Sequence, residues 1–218
     1  DHIRRKTVHL GSVKTVILDE ADEMLDMGFA EDLEAILAAT PKDKQVALFS
    51  ATLAPRIRAI AESHLREPQV IRIDAVKVAP GATAKVRQVA YLVPRAHKMV
   101  ALGRILDVEQ PKSAIVFCRT RTEVDELTET LNGRGFHADA LHGGLSQEQR
   151  DRVMKKFRAN KADLLVATDV AARGLDVQHV SHVVNYDVPS AAESYVHRIG
   201  RTGRAGREGV AITLAEPR

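Results

Sequence analysis

Acidic and hydroxyl residues follow two apolar runs in the first third of the chain. Asp19-Glu20-Ala21-Asp22 comes directly after the run 13–18, and Ser50-Ala51-Thr52 comes directly after the run 46–49. Ligands of open parallel sheets bind beyond the carboxyl ends of the strands. There, one carboxylate can hold a hydrated magnesium ion while its neighbour polarises a water molecule. Two other interpretations stay open. The acids can simply lie at a helix N-terminus, where negative charge is stabilising, and the hydroxyls can cap the helix that begins at Pro55.

A second group of candidate residues, rich in arginine and glycine, lies near the C-terminus. The glycines within 197–204 allow guanidinium groups to approach a phosphate closely, where they would spread the charge that develops in phosphoryl transfer. Thr168, after the run 164–167, can hold a phosphate, and Asp176 can accept a hydrogen bond from a ribose hydroxyl. The alternatives are a solvated basic turn and a polar turn that needs the conformational freedom of Gly174.

The stretch 141–150 combines a glycine pair with a helix start. Ser146 is predicted to cap the helix, and Gln149 three residues later completes a capping box. Gly143 and Gly144 would also let a sugar-phosphate backbone come near. Capping explains part of this stretch, and a binding role would be additional.

Short apolar runs that alternate with amphipathic segments predict the elements that position these residues. The runs are 13–18, 46–49, 70–73, 89–93, 114–117, 164–167, 180–184 and 210–214. Two amphipathic helices are predicted. The apolar face of the first contains Phe29, Leu33, Ile36 and Leu37, and that of the second contains Met99, Leu102, Ile105 and Leu106. Alternating strand and helix indicates an α/β fold with a mostly parallel sheet. Residues 75–87, which contain a Pro-Gly pair and lack a helical period, are predicted to link 1–74 to 88–218.

The composition limits the classes of protein to which the chain can belong. Of the 218 residues, 44% are hydrophobic and 28% are charged, with a net charge of +3. Aromatic residues make up only 4%, which argues against base stacking as the main way of holding nucleic acid. Cys118 is the only cysteine, so we expect a reducing compartment, the cytoplasm, and a buried apolar role for this thiol. No apolar run predicts a membrane span, and no histidine pairs with cysteine at zinc spacing.

Taken together and in this order, the motifs resemble those of the DEAD-box family of superfamily-two RNA helicases. The matching stretches are DEAD at 19–22, SAT at 50–52, IVFCRT at 115–120, LHGGLSQEQR at 141–150, VATDVAARGLDV at 166–177 and HRIGRTGR at 197–204. The resemblance, in particular to bacterial members, implies two RecA-like domains that close on ATP and on single-stranded RNA.

The same resemblance implies roles for individual residues. Asp19 would organise magnesium through water, and Glu20 would activate the attacking water. The residues implied to link hydrolysis to RNA and to domain closure are Asp22, Ser50, Thr52 and His197. The residues that the resemblance places around the nucleotide are Arg173, Gly174 and Asp176. Two further residues, Arg201 and Arg204, resemble arginine fingers. Those in stretches that contact the RNA backbone are Arg119, Gly143, Gln147, Arg150 and Thr168. Backbone contacts would make RNA binding insensitive to sequence.

The printed sequence contains no P-loop of the form G-x-x-x-x-G-K-[ST], the motif whose amides and lysine cradle the β- and γ-phosphates. Because catalysis of phosphoryl transfer rests on positioning, we predict that this chain alone does not hydrolyse ATP at a useful rate. The resemblance therefore implies an N-terminally truncated piece, with the back of the first domain and a complete second domain. Without a neighbour for the strand at 46–49, residues 1–74 are expected to be less stable than 88–218.

Three interpretations of function remain open. The parent protein can be an RNA-dependent ATPase that locally separates short duplexes, and the chain itself can be an RNA-binding module. The third is a DNA-directed helicase of the same superfamily, although the DEAD and SAT stretches favour RNA. A monomer is expected.

Overall fold

Strands and helices alternate along the chain, as the apolar runs predict. In the computed structural model, which describes residues 1–72, 86–172, 177, 180–203 and 207–217, they form two units, residues 1–76 and 77–218. None of the helices in these described ranges is long and apolar enough to cross a bilayer.

The first unit (unit 1) contains a parallel pair of strands with three helices. Its elements are β1 (Thr15–Leu18), α1 (Ala21–Asp26), α2 (Ala30–Ala38), β2 (Gln45–Leu48) and α3 (Pro55–His64). As predicted, Pro55 occupies the first turn of α3. A small apolar cluster joins these elements, and its buried members are Leu18, Ala21, Leu25, Leu33, Leu37, Ile57 and Ile60.

The second unit (unit 2) is built around a six-stranded parallel sheet with the strand order β3-β8-β7-β4-β6-β5. Its strands are β3 (Val86–Leu92), β4 (Ala114–Phe117), β5 (Ala138–Leu141), β6 (Leu164–Ala167), β7 (His182–Asn185) and β8 (Gly209–Ala215). Its helices are α4 (Lys98–Glu109), α5 (Arg121–Gly133), α6 (Gln147–Arg158), α7 (Asp169–Ala172) and α8 (Ala192–Ile199). The predicted parallel α/β fold is therefore confirmed.

Both faces of the central strands of unit 2 are buried, because successive side chains point to opposite faces. Ala114 and Val116 of β4 pack with the apolar sides of α4 and α5. Ile115 and Phe117 pack on the other face with α6 and α7. This double burial explains why the strands read as continuous apolar runs.

Several boundaries differ from the sequence prediction. Residues 70–72 of the run 70–73 form no strand, since no strand among the described residues pairs with them. Strand β3 begins at Val86, inside the predicted linker, because pairing with β8 extends it. Strand β5 was missed because its sequence, ADAL, contains an acid and is too short to show a period. Of the predicted apolar face at α2, Leu33 and Leu37 are buried, but Ile36 and the N-cap residue Phe29 are exposed.

Candidate functional site

The DEAD and SAT stretches meet at the carboxyl ends of β1 and β2. The amide of Thr52 donates to Asp22 Oδ2 at 2.8 Å, and the amide of Asp22 donates to Ser50 Oγ at 3.3 Å. Ser50 Oγ in turn donates to the carbonyl of Thr52 at 2.7 Å. The hydroxyls therefore bridge to the acidic stretch; the capping interpretation is wrong, since Ala54 is the N-cap of α3 and no side chain caps that helix.

Hydrogen bonding fixes the charge state of Asp22. Partial burial alone would raise its pKa, but the bonds from the Thr52 amide, from the Ser50 and Thr52 side chains and from the Glu23 amide together outweigh burial. The pKa of Asp22 therefore lies below its ordinary value. This carboxylate is an ionised acceptor that ties α1 to the loop after β2.

Asp19 and Glu20 occupy the turn between β1 and α1. Glu20 has a left-handed backbone (φ 52°, ψ 47°), a conformation that L residues rarely adopt and that concentrates at functional sites. Asp19 is exposed, and its Oδ1 accepts the amide of Glu20 at 3.0 Å. The described residues contain no group of three or more metal-ligating side chains. A lone exposed carboxylate fits a magnesium ion held through water, because Mg²⁺ usually keeps several waters.

In unit 2 the predicted RNA-contacting residues follow three adjacent strands of the sheet. Arg119 comes after β4, Thr168 after β6 and Gly143 after β5, and these strands lie in the order β4-β6-β5. Gln147 and Arg150 lie in the first turns of α6, which begins beyond Gly143. The fold therefore brings all five to the carboxyl edge of one sheet.

The glycine pair after β5 is held in a defined conformation. His142 Nδ1 accepts the amide of Gly144 at 3.1 Å, so the proton of the neutral ring is on Nε2, which lies 3.0 Å from Asp125 Oδ1. A Cβ on Gly143 would lie 3.3 Å from Arg121 Nη2, so a side chain there would displace the end of the exposed Arg121 side chain. The predicted capping box of α6 is confirmed by the reciprocal bonds of Ser146 and Gln149.

Arg198 departs from the alternative of a solvated basic turn in 197–204. Its side chain is 4% exposed and forms a two-bond pair with Asp169, at 2.6 and 2.7 Å. Its Nη1 also donates to Asn185 Oδ1 at 3.1 Å, and its guanidinium lies 5.0 Å from the centre of the Phe117 ring. These contacts attach α8 to the ends of β4, β6 and β7, which explains the burial.

The remaining predicted residues divide between the described and undescribed parts of the chain. His197 and Arg201, from α8 and the turn after it, line one small pocket beside Asp169 and Arg198. Four predicted residues lie outside the described residues: Arg173, Gly174, Asp176 and Arg204.

A buried polar cluster beside these loops was not predicted from the sequence. Lys98 donates to Asp187 Oδ1 at 3.1 Å and lies 2.9 Å from Glu216 Oε1, and it stands 5.4 Å above the Tyr186 ring. Two signals could have found it. Lys98 shares the apolar helical face of Leu102 and Leu106, and Asp187 follows a strand as Asp19 does.

Comparison with known families places the chain among helicases. Residues 97–206, half of the chain, match the family model of the helicase conserved C-terminal domain, and residues 1–60 match that of the DEAD/DEAH box helicase. The chain is 51% identical over its full length to the ATP-dependent RNA helicase CshA of Listeria monocytogenes. It is 52% identical to the DEAD-box ATP-dependent RNA helicase CshA of Bacillus cereus. It covers 41% of each of these relatives.

Solved structures agree. Saccharomyces cerevisiae Dbp5 bound to RNA and ADP BeF3 aligns with a TM-score of 0.85 at 34% identity, over 100% of this chain and 57% of that one. A DEAD box protein from Methanococcus jannaschii aligns with a TM-score of 0.59 at 43% identity, over 99% of this chain and 57% of that one. With these matches, and with the motifs at the carboxyl edges of both sheets, the chain belongs to the DEAD-box helicase family.

Proposed function

We propose that the protein to which this sequence belongs is an ATP-dependent RNA helicase, which hydrolyses ATP when RNA is bound and locally separates short duplexes. The observation that carries the proposal is the placement of the family motifs. Acids and hydroxyls lie at the carboxyl edge of unit 1, and arginines and glycines lie at that of unit 2. The likeness to Dbp5 bound to RNA and ADP BeF3 supports RNA and a nucleotide as ligands.

On the nucleotide side, Asp19 would hold magnesium through water, and that ion would neutralise phosphate charge. Glu20, the N-cap residue of α1 with a left-handed backbone, would accept the proton of the attacking water. Arg201 and Arg204 would stabilise charge on the γ-phosphate. The residues proposed to surround the rest of the nucleotide are Arg173, Gly174 and Asp176.

The bonds among Asp22, Ser50 and Thr52 suggest how the acidic edge would respond to its surroundings. Because the Asp22 carboxylate accepts the Thr52 amide and the Asp22 amide donates to Ser50 Oγ, a shift of the loop after β2 moves the first turn of α1. We propose that these three residues, with His197 in unit 2, link hydrolysis to RNA binding.

For RNA, the proposed contacts are Arg119, Gly143, Gln147, Arg150 and Thr168. They offer guanidinium groups, a hydroxyl, an amide and exposed backbone, all of which suit phosphate and 2′-hydroxyl oxygens. RNA binding would therefore be insensitive to base sequence. The chain by itself would act as a monomeric RNA-binding module, and its lone cysteine favours the cytoplasm.

The test of the ATPase is to measure phosphate release with and without RNA, from the chain and from a chimaera. In the chimaera, the segment of Listeria CshA that precedes the stretch matching this chain is joined to Asp1. We expect no RNA-stimulated hydrolysis from the chain and clear stimulation in the chimaera. Glu20→Gln in the chimaera should lower turnover about 10²–10⁴-fold, the usual contribution of a general base.

Glu31→Gln, which changes an exposed acid of α2, is the matched control and should leave turnover unchanged. RNA-stimulated hydrolysis by the chain alone would contradict the predicted deficiency. Equal stimulation of the chimaera by single-stranded DNA would favour the DNA-directed helicase instead.

A further inference from the structure

Asp187, which follows β7, contacts three parts of unit 2 at once. Its side chain is buried, with 6% of the residue exposed. Oδ1 accepts from Lys98 Nζ at 3.1 Å, and Oδ2 accepts from the amide of Arg119 at 3.0 Å. Its own carbonyl accepts from Arg198 Nη1 at 2.7 Å. A single residue therefore bonds to the loop after β4 and to the arginine of α8.

The two ends of this connection carry different proposed ligands. Arg119 lies in the loop proposed to contact the RNA backbone. Arg198 lies in α8, between His197 and the turn that holds Arg201, on the proposed nucleotide side. Because the bonds involve the Arg119 amide and the Asp187 carbonyl, a displacement of the Arg119 backbone moves Asp187 and with it the acceptor that holds Arg198.

The energetic cost of this arrangement argues that its geometry matters. Lys98 is 4% exposed, so both members of the Lys98–Asp187 pair lose most of their hydration. Desolvation of such a pair often cancels its attraction, and well-packed apolar residues would stabilise the fold equally well. What an apolar pair could not supply is an acceptor for the Arg119 amide at a fixed position.

We propose that Asp187 is a positioning residue that couples the RNA-side loop at Arg119 to α8 through Arg198. This inference rests on the proposed function, since it requires RNA to bind at the Arg119 loop. Lys98 has a supporting part: it neutralises the Asp187 carboxylate and fixes its orientation. Binding of RNA backbone at Arg119 would thereby change the environment of the Arg198 guanidinium, although Arg198 is buried.

The test is nuclear magnetic resonance of the ¹⁵N-labelled 218-residue chain during titration with a ten-nucleotide oligouridylate. Two signals report the two ends: the Arg119 amide and the Arg198 Nε–H, which Asp169 holds at 2.6 Å. In the unmodified chain, we expect both signals to shift with the same apparent Kd. In Asp187→Ala, which removes the acceptor of the Arg119 amide, RNA should still shift Arg119, but Arg198 should no longer respond.

Asp163→Ala is the control. It makes the same substitution at a half-exposed carboxylate just before β6, at the opposite edge of the sheet, where it pairs with His137. Both signals should respond to RNA in this variant as in the unmodified chain.

The outcomes separate the two proposals. If the unmodified chain binds RNA and Arg119 shifts while Arg198 stays fixed, the coupling is wrong and RNA binding stands. A response of Arg198 that persists in Asp187→Ala also overturns it. Should Asp187→Ala fail to fold, the titration of the unmodified chain alone decides. If that chain binds no RNA, the proposed RNA contacts fail and the inference fails with them.

Discussion

The two units use the same strand-turn-helix design, but they differ in how much structure supports it. In unit 2, four strands of a six-stranded sheet have neighbours on both sides, and apolar clusters cover both faces. In unit 1, the described residues form two strands and one small cluster. Apolar side chains in or next to its strands are exposed to solvent: Ile17 is 64% exposed and Phe49 is 56% exposed.

This difference bears on how each candidate site is held. The loops of unit 2 are anchored by buried polar groups, such as Arg198 and Asp187, that sit against a large core. The acids of unit 1 are held by bonds among partly exposed groups, Asp22, Ser50 and Thr52. We infer that unit 2 keeps its site ordered independently, whereas the site of unit 1 opens at a lower free energy.

The largest effect should come from matched core truncations, Leu37→Ala in unit 1 and Leu165→Ala in unit 2. Both leucines are fully buried, so each change should cost about 2–5 kcal/mol. Because the cluster of unit 1 is small, Leu37→Ala should abolish the hydrogen-exchange protection of β1 and β2. Leu165→Ala should instead shift the urea midpoint of a unit that stays folded.

Cys118 provides an independent reporter for these two variants. It is the only cysteine, it lies in the core of unit 2, and burial raises the pKa of its thiol, so thiol reagents reach it only when that unit opens. It should stay unreactive in Leu37→Ala. Simultaneous loss of both units in that variant would mean that the chain unfolds as one.

Helix caps should give a smaller and opposite pair of effects. Ser146→Ala removes a capping box from α6 and should destabilise unit 2 by about 1 kcal/mol. Helix α3 of unit 1 begins at Ala54 without a side-chain cap, so Ala54→Asp should stabilise that unit by about 0.5–1 kcal/mol. Thermal unfolding and hydrogen exchange measure both, and Ser63→Ala, an exposed hydroxyl within α3, should change little.

The smallest expected effect is the loss of stability of unit 1 at acidic pH. Because the folded pKa of Asp22 lies below its ordinary value of 3.8, its bonds stabilise unit 1 fully above that value. The stabilisation is lost as the pH falls through the folded pKa. Protection of β1 and β2 should therefore decline below about pH 4, and Asp22→Asn should flatten this part of the profile. An unchanged acid profile in Asp22→Asn would show that the carboxylate does not hold the loop after β2.

Much of this architecture was predictable from sequence because the central strands are buried on both faces. Runs such as 114–117 and 164–167 became strands with the predicted boundaries. The strand predicted at 70–73 does not form over residues 70–72, because apolar content alone does not provide a pairing partner. Strand β5 was not predicted because Asp139 interrupts its apolar sequence. Thr168, predicted to follow a strand, does follow β6, whereas the strand before Gly143 was not predicted.

What sequence could not provide was the pairing of polar groups across the fold. Asp187 bonds to residues 68 and 89 positions away, Arg119 and Lys98, and no local pattern links them. Arg198 looked like its neighbours in the arginine run, yet its partners come from three different strand ends. Such contacts depend on the strand order, which the sequence pattern leaves open.

The most direct test of the inferred difference is hydrogen exchange of the unmodified chain across a urea series. We predict that amides of β4, β6 and β7 exchange only through global unfolding of unit 2. Amides of β1 and β2 should exchange through an opening of lower free energy that leaves Cys118 protected. One common free energy for all five strands would contradict this account.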